Sequence, residues 1–146
     1  MNQEYESIFE DILKRGSYSI TKPRKIVFSC LMNQEPISMH ELLAKVNNDI
    51  DRASLYRTIR IFEKLGIVQR VYIGWKYKIE LTDIFSHHHH HISCVKCHKL
   101  IVIKEDAEIE ELIQAIAKRY EVKATNHQLE VQGYCNSCQS NNVEAT

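Results

Sequence analysis

Two cysteine pairs and a run of histidines carry the plainest chemistry in this chain. Cys94-x-x-Cys97 and Cys135-x-x-Cys138 can each grip one ion with two thiolates, and residues 87–91 are all histidine. Four thiolates complete a tetrahedral Zn2+ shell with Zn–S bonds of about 2.3 Å. The 37 residues between the pairs exceed a usual ribbon spacing, but a β-α-β insert could return the chain. A closed four-thiolate shell leaves no position for substrate; it staples a small core rather than catalysing. Disulfides are the rival use of paired cysteines. They need an oxidising compartment, whereas the opening MNQEYESIFEDILK is acidic and amphipathic, unlike a signal peptide. A reducing, cytoplasmic setting is therefore expected.

The histidine run asks for a second metal chemistry. In an extended strand His87, His89 and His91 point to one side, and His88 and His90 to the other. One strand can then serve two sites. Neutral imidazole suits Zn2+, Fe2+, Ni2+ or Mn2+ when carboxylates join it. Glu80, Asp83, Glu105, Asp106, Glu108 and Glu110 are the candidate carboxylates. An ion sharing Glu80 with the histidines would join the two halves of the chain and fix their orientation, which is a switch. The bland alternative is an exposed histidine patch with adventitious metal affinity.

The elements that position these groups fall in two halves, and charge divides the same way. Residues 14–78 hold 13 Lys/Arg against five Asp/Glu, while residues 1–13 hold four acids and no base. Residues 79–146 hold six bases and ten acids, and the whole chain balances at 19 of each. A basic block between acidic flanks points to a polyanion-binding module beside the metal chemistry. With 44% hydrophobic and 26% charged residues, the 146-residue chain reads as a folded soluble protein of one domain or two small ones. No run of about 18 apolar residues is present to span a membrane. The four glycines stand far apart, which excludes a P-loop and a dinucleotide-binding fingerprint.

In the first half Tyr5, Ile8, Phe9 and Ile12 follow helical spacing up to Gly16, and Thr21-Lys22-Pro23 opens a second helix with Ile26, Val27, Cys30 and Leu31 on its apolar face. Ser38-x-x-Glu41 is a capping box for a short helix through Val46. Asp51 caps a further helix to Leu65, with Gly66 as its stop. On that helix Leu55, Ile59 and Phe62 share one face, while Arg52, Tyr56 and Arg60, with Arg57 beside them, share another. Ile67–Ile73 and Lys76–Leu81 then read as two strands turning at Gly74. Two short helices followed by a hairpin make a winged helix-turn-helix. Its second helix can enter a major groove, with Arg on guanine edges or phosphate and Tyr on thymine methyl or sugar. The alternative is an ordinary exposed helix that carries arginines.

The second half reads as an α/β unit. Ile92–Lys104 forms two strands around the first knuckle, Asp106 caps a helix with Ile109, Leu112, Ile113 and Ile116 on one side, and the pattern turns to strand from Glu121. The second knuckle follows, and then a polar, frayed tail from Gln139.

Several of these segments occur in family order. Arg52-Ala-Ser-Leu-Tyr-Arg57, the wing, Glu80-Leu-Thr, the histidine run, Ile92-Ser-Cys94-Val-Lys-Cys97, Asn126-His127 and Gly133-Tyr-Cys135-x-x-Cys138 together resemble the ferric uptake regulator (Fur) family, from the first helix through Cys138. The resemblance implies an α+β homodimer: a winged helix-turn-helix DNA-binding domain (1–81) and an α/β dimerisation domain (82–146) with a four-cysteine structural Zn2+ site. By position it implies Tyr56 and Arg57 as DNA contacts, and Arg52, Ser54, Arg60, Lys14 and Arg24 complete the candidate set. It implies Glu80, His89 and His91 as ligands of a regulatory site for Fe2+ or Zn2+, with Mn2+ or Ni2+ as further candidates. It implies His88, His90, Glu110 and His127 as a further site.

The chain also departs from the pattern. Pro36 stands where many iron and peroxide sensors of the family carry histidine, and Val102 where they carry an acidic ligand, so peroxide sensing by histidine oxidation loses support. The expected function is a cytoplasmic, metal-dependent repressor that binds double-stranded operator DNA and controls iron or zinc uptake or a linked stress response. No enzyme activity, small organic substrate or membrane partner is expected, since no HExxH-type helix exists. The rival functions are metal buffering by the histidine run and peroxide sensing.

Overall fold

The structure, a computed structural model, describes residues 3–140. The chain divides into two compact units, one running to Val71 and resuming over Tyr77–Ser86, the other holding Tyr72–Lys76 and the residues from His87 on.

The first unit contains α1 (Gln3–Arg15), α2 (Lys22–Leu31), α3 (Met39–Val46) and α4 (Arg52–Lys64), then most of strands β1 (Val68–Ile73) and β2 (Lys76–Leu81), which pair as a hairpin whose tip, Tyr72–Lys76, is grouped with the second unit. Local chemistry sets the helix ends. Ser38 and Glu41 form a reciprocal capping box at α3, and the Asp51 side chain accepts from the Ser54 N–H at α4. At the end of α4, Gly66 adopts φ +68° while its N–H reaches the Glu63 carbonyl and that of Ile67 reaches Phe62. This is the left-handed cap that Gly66 was expected to supply. At the end of α1 the left-handed residue is Ser17 (φ 62°), not Gly16. Gly16 instead leaves room, since a Cβ there would lie 2.5 Å from the Leu65 side chain, which would have to shift.

The core of this unit is aromatic. Phe9 stacks on Phe28 at 4.2 Å between ring centroids and meets Phe62 edge-on at 5.5 Å. Burying each such ring stabilises the fold by about 1.5–3 kcal/mol. Ile37 and Ile79 exchange both backbone hydrogen bonds (2.9 and 2.7 Å), tying the segment before α3 to β2. Phe85 packs against Phe28 at 4.9 Å, so residues 82–86 belong with this core, whereas the sequence pattern divides the chain after Leu81.

The second unit is built on β3 (His89–Cys94), flanked by β4 (Leu100–Lys104) and β5 (Glu130–Gly133) in the order β4-β3-β5. β3 runs antiparallel to β4 and parallel to β5. A parallel neighbour needs a crossover, which α5 (Ala107–Arg119) supplies. Asp106 caps α5 through the N–H groups of Glu108 and Ile109. The strand expected from Glu121 is confined to Glu130–Gly133, because β3 offers that edge only from His91 to Cys94. Gln139 and Ser140, expected in the frayed tail, belong to α6 (Asn136–Ser140); the rest of that tail lies outside the described residues.

Candidate metal centres and nucleic-acid face

The β3–β5 register sets Cys94 opposite Gly133, which carries the second knuckle to the first. The four cysteine sulfurs lie within 4.8 Å of one another, with Cys97 Sγ and Cys135 Sγ 3.8 Å apart. The edge of a tetrahedron with bonds of about 2.3 Å is about 3.8 Å, so the donor set fits zinc. The thiols are not equivalent. Backbone N–H groups of Cys97 and Cys135 hold Cys94 down to about 6, while burial, then the neighbouring sulfurs, push Cys138 up to about 12. Only a cation placed among them lets all four ionise together.

A second cluster gathers around the start of β3. The Nε2 atoms of His90, His127 and His88 stand 3.1, 3.2 and 3.4 Å from one oxygen of Glu110, and those of His88 and His127 are 2.9 Å apart. The His90 side chain is fully buried. Burial opposes the charged form of Glu110, but the rings of His127, His90 and His88 outweigh it and hold the carboxyl below its ordinary value. Glu110 comes from the first turn of α5, so this cluster fastens the helix to the strand. With bonds of about 2.0–2.1 Å a tetrahedral shell has edges of about 3.3 Å, close to the distances observed.

His89 and His91 project opposite to His88 and His90, with ring centroids 4.8 Å apart. His89 Nδ1 lies 2.8 Å from the His87 carbonyl. A carbonyl only accepts, so Nδ1 carries the proton and Nε2 of a neutral ring keeps its lone pair. That positioning role for the His87 backbone, and the bond at 2.8 Å by which Gln69 orients the buried Glu80 carboxylate in the first unit, were invisible in the sequence pattern. Neither element spacing nor residue type signals them.

On α4, Arg52, Tyr56, Arg57 and Arg60 are exposed and Arg52 lies over the Tyr56 ring at 5.4 Å. The Ser54 hydroxyl is committed to Asp51 at 2.6 Å. Lys14 is exposed on α1 beside Glu10 at 3.9 Å, and Arg24 donates to the Ser19 carbonyl while lying over Tyr18.

A helix-turn-helix unit with a wing, followed by an α/β unit with a four-cysteine cluster, defines a class of metal-binding transcriptional regulators. The ferric uptake regulator family model matches residues 15–132, and the chain belongs to that family. It is 33% identical over 129 residues to the ferric uptake regulation protein of Yersinia pestis, covering 84% of this chain and 85% of that one. Among solved structures it is similar to the Vibrio cholerae ferric uptake regulator (32% identity, TM-score 0.69, covering 86% of this chain and 98% of that one). It is also similar to the Helicobacter pylori regulator, described with three functional metal-binding sites (26% identity, TM-score 0.74, covering 92% and 93%). No helix among the described residues is long and apolar enough to cross a membrane.

Proposed function

We propose that the chain is a homodimeric, metal-dependent repressor that binds operator DNA in the cytoplasm and controls iron or zinc uptake, or a stress response linked to it. The observation that carries this reading is the convergence of three imidazole nitrogens on one Glu110 oxygen, separate from the thiolate cluster. Such a donor set suits a cation, and it stands beside the strand whose alternate residues, His89 and His91, project to the opposite face. In this reading Glu80, His89 and His91 share the sensed ion, Fe2+ or Zn2+ with Mn2+ and Ni2+ as further candidates. Zn2+ occupies the four cysteines. The His87 carbonyl and Gln69 hold His89 and Glu80 in the ligating orientation before the ion arrives.

Two further features support the assembly. No residue of α5 is buried, and Leu112, Ile116 and Tyr120 are 60%, 44% and 71% exposed. An apolar stripe of that kind suits a second copy of the chain. Arg57 and Tyr56 on α4 would read or grip the duplex, with Arg52, Arg60, Lys14 and Arg24 on phosphate. An ion bridging the two units would fix the spacing of paired winged helices to a palindromic operator, with a coupling of about 1–3 kcal/mol.

The test is duplex binding, followed by anisotropy, in chelator and in saturating Zn2+, Fe2+, Mn2+ or Ni2+. One metal is expected to tighten binding about 5–150-fold. Arg57→Ala is expected to weaken binding at unchanged zinc content. Equal affinity in chelator and in every metal would overturn the sensor reading.

A further inference from the structure

The sheet of the second unit carries one acidic side chain, Glu130, at the first position of β5. Residues paired across neighbouring strands project from the same face of a sheet. The register pairs His91 with Val102 of β4 on one side and with Glu130 of β5 on the other, and it pairs Ser93 with Leu100 and Gln132. Alternation along β3 adds His89 to that face. His89, His91, Ser93, Glu130 and Gln132 are therefore neighbours by strand geometry. Val102 offers the imidazoles no donor. Glu130 offers them a carboxylate from one strand away, a spacing of about 4.8 Å.

Two observations set this face apart from an ordinary polar surface. Ser93 is 3% exposed, and its hydroxyl has no hydrogen-bond partner among the described residues. A buried hydroxyl left unsatisfied is costly, and in a native fold it marks the place of an ion or an ordered water. The second observation is what holds Glu130. Its Oε1 accepts from the Tyr72 N–H, at the hairpin tip, at 3.3 Å, and the Gln132 amide donates to the Tyr72 carbonyl at 3.3 Å. Both bonds lie beyond the ordinary range of about 2.7–3.2 Å. All of these residues belong to the second unit. A half-buried carboxylate on a long bond to a neutral N–H is weakly held, and a divalent cation attracts it more strongly.

We propose that Glu130 is a further ligand of the ion taken by His89 and His91. On binding, its carboxylate leaves the Tyr72 N–H for the cation, so the ion and the hairpin tip compete for one side chain. Gln132 keeps its bond to the Tyr72 carbonyl, which loosens the tip without releasing it. The proposal rests on the reading above that these histidines take the sensed ion, and it adds a residue outside the expected ligand set.

The experiment uses the full chain with its four-cysteine site filled, titrated with Zn2+ and, in parallel, with Fe2+, Mn2+ and Ni2+. Imidazole 15N resonances separate His89 and His91 from the histidines around Glu110, and the 13C carboxylate resonance of Glu130 reports ligation directly. With Zn2+ that resonance is expected to move in the same step as those of His89 and His91. Glu130→Gln keeps an acceptor for the Tyr72 N–H and removes the charge. It should weaken the ion at His89 and His91 at least about tenfold, at unchanged zinc in the cysteine site. Gln132→Ala cuts the other bond to Tyr72 and should leave that affinity unchanged. A Glu130 resonance that stays still while His89 and His91 shift overturns the proposal and leaves the sensor reading standing. So does equal affinity in wild type and Glu130→Gln, or an equal loss in Gln132→Ala, which would assign the effect to the strand edge. No response at His89 and His91 to any of the four metals overturns both.

Discussion

The two units bury different things. The first closes over hydrocarbon, with Phe9, Phe28, Phe62, Leu13, Leu42 and Leu55 all essentially inaccessible. From His87 on, the buried side chains among the described residues are His90, His91, Ser93, Cys94 and Cys138. One unit is held by a driving force that needs nothing from outside. The interior from His87 on is instead made largely of groups that can ligate a metal, with an apolar helix face turned outward, so in the proposed function its stability would come from ions and from a second copy. In the proposed sensor this division would be useful, because the part that responds to metal would be the part that cannot settle without it.

The comparison breaks most directly if zinc is taken away. Cys138→Ser, or exhaustive chelation, should unfold the second unit and leave the first folded. Structural zinc in small domains contributes apparent binding energies of about 10–16 kcal/mol, far above what the few apolar contacts here can replace. Hydrogen exchange would show protection lost from β3, β4 and α5 and kept in α2 and α4; simultaneous loss in both units would sink the division.

Phe28→Ala is the converse experiment. Removing a ring that touches both Phe9 and Phe85 should cost about 3–5 kcal/mol in the first unit. Zinc content and the protection of β3 should be unchanged, so calorimetry with metal analysis reads both halves at once. A smaller effect separates the two ion sites. His90→Ala removes one donor from the Glu110 cluster and leaves all four thiolates. Affinity at that site should fall at least about 10–100-fold, the loss that outer-shell partners alone can cause. Cobalt substitution would show it as lost visible absorption, while the charge-transfer bands of cobalt in the thiolate site persist.

What the sequence made legible follows the same line. In the first half the caps at Ser38 and Asp51, the stop at Gly66 and the turn at Gly74 are local devices, and all four occur where the residue types demand. Phe85 was missed because its partners, Phe28 and Tyr5, lie far away in sequence. In the second half Ile109, Leu112, Ile113 and Ile116 announce an apolar helix face, but periodicity does not say whose surface covers it. Glu121 ends α5 at φ 57° without glycine, a stop that no residue type announces. Alternation along the histidines could be read directly, since strand geometry allows only one partition of sides. That Glu110 joins the side of His88 and His90 depended on the crossover through α5, whose length no local pattern carries.

The smallest test alters the first unit alone. Ser38 stabilises α3 at both ends of its capping box: its hydroxyl accepts from the Glu41 N–H at 3.2 Å, and its backbone N–H donates to the Glu41 carboxylate at 2.9 Å. Ser38→Ala should cost about 1 kcal/mol. The Ser38 hydroxyl, then the Ser38 backbone, hold the Glu41 carboxyl below its ordinary 4.5. A carboxyl depressed in the folded state stabilises it above the ordinary value and loses that effect as pH falls through the lowered one. The difference in stability between wild type and Ser38→Ala should therefore be full at pH 7 and narrow below pH 4, with the zinc-dependent transition unmoved throughout. If the second transition shifted along with the first, the two units would be folding as one, and the ligand-filled interior would not be the independent, metal-governed part that the division requires.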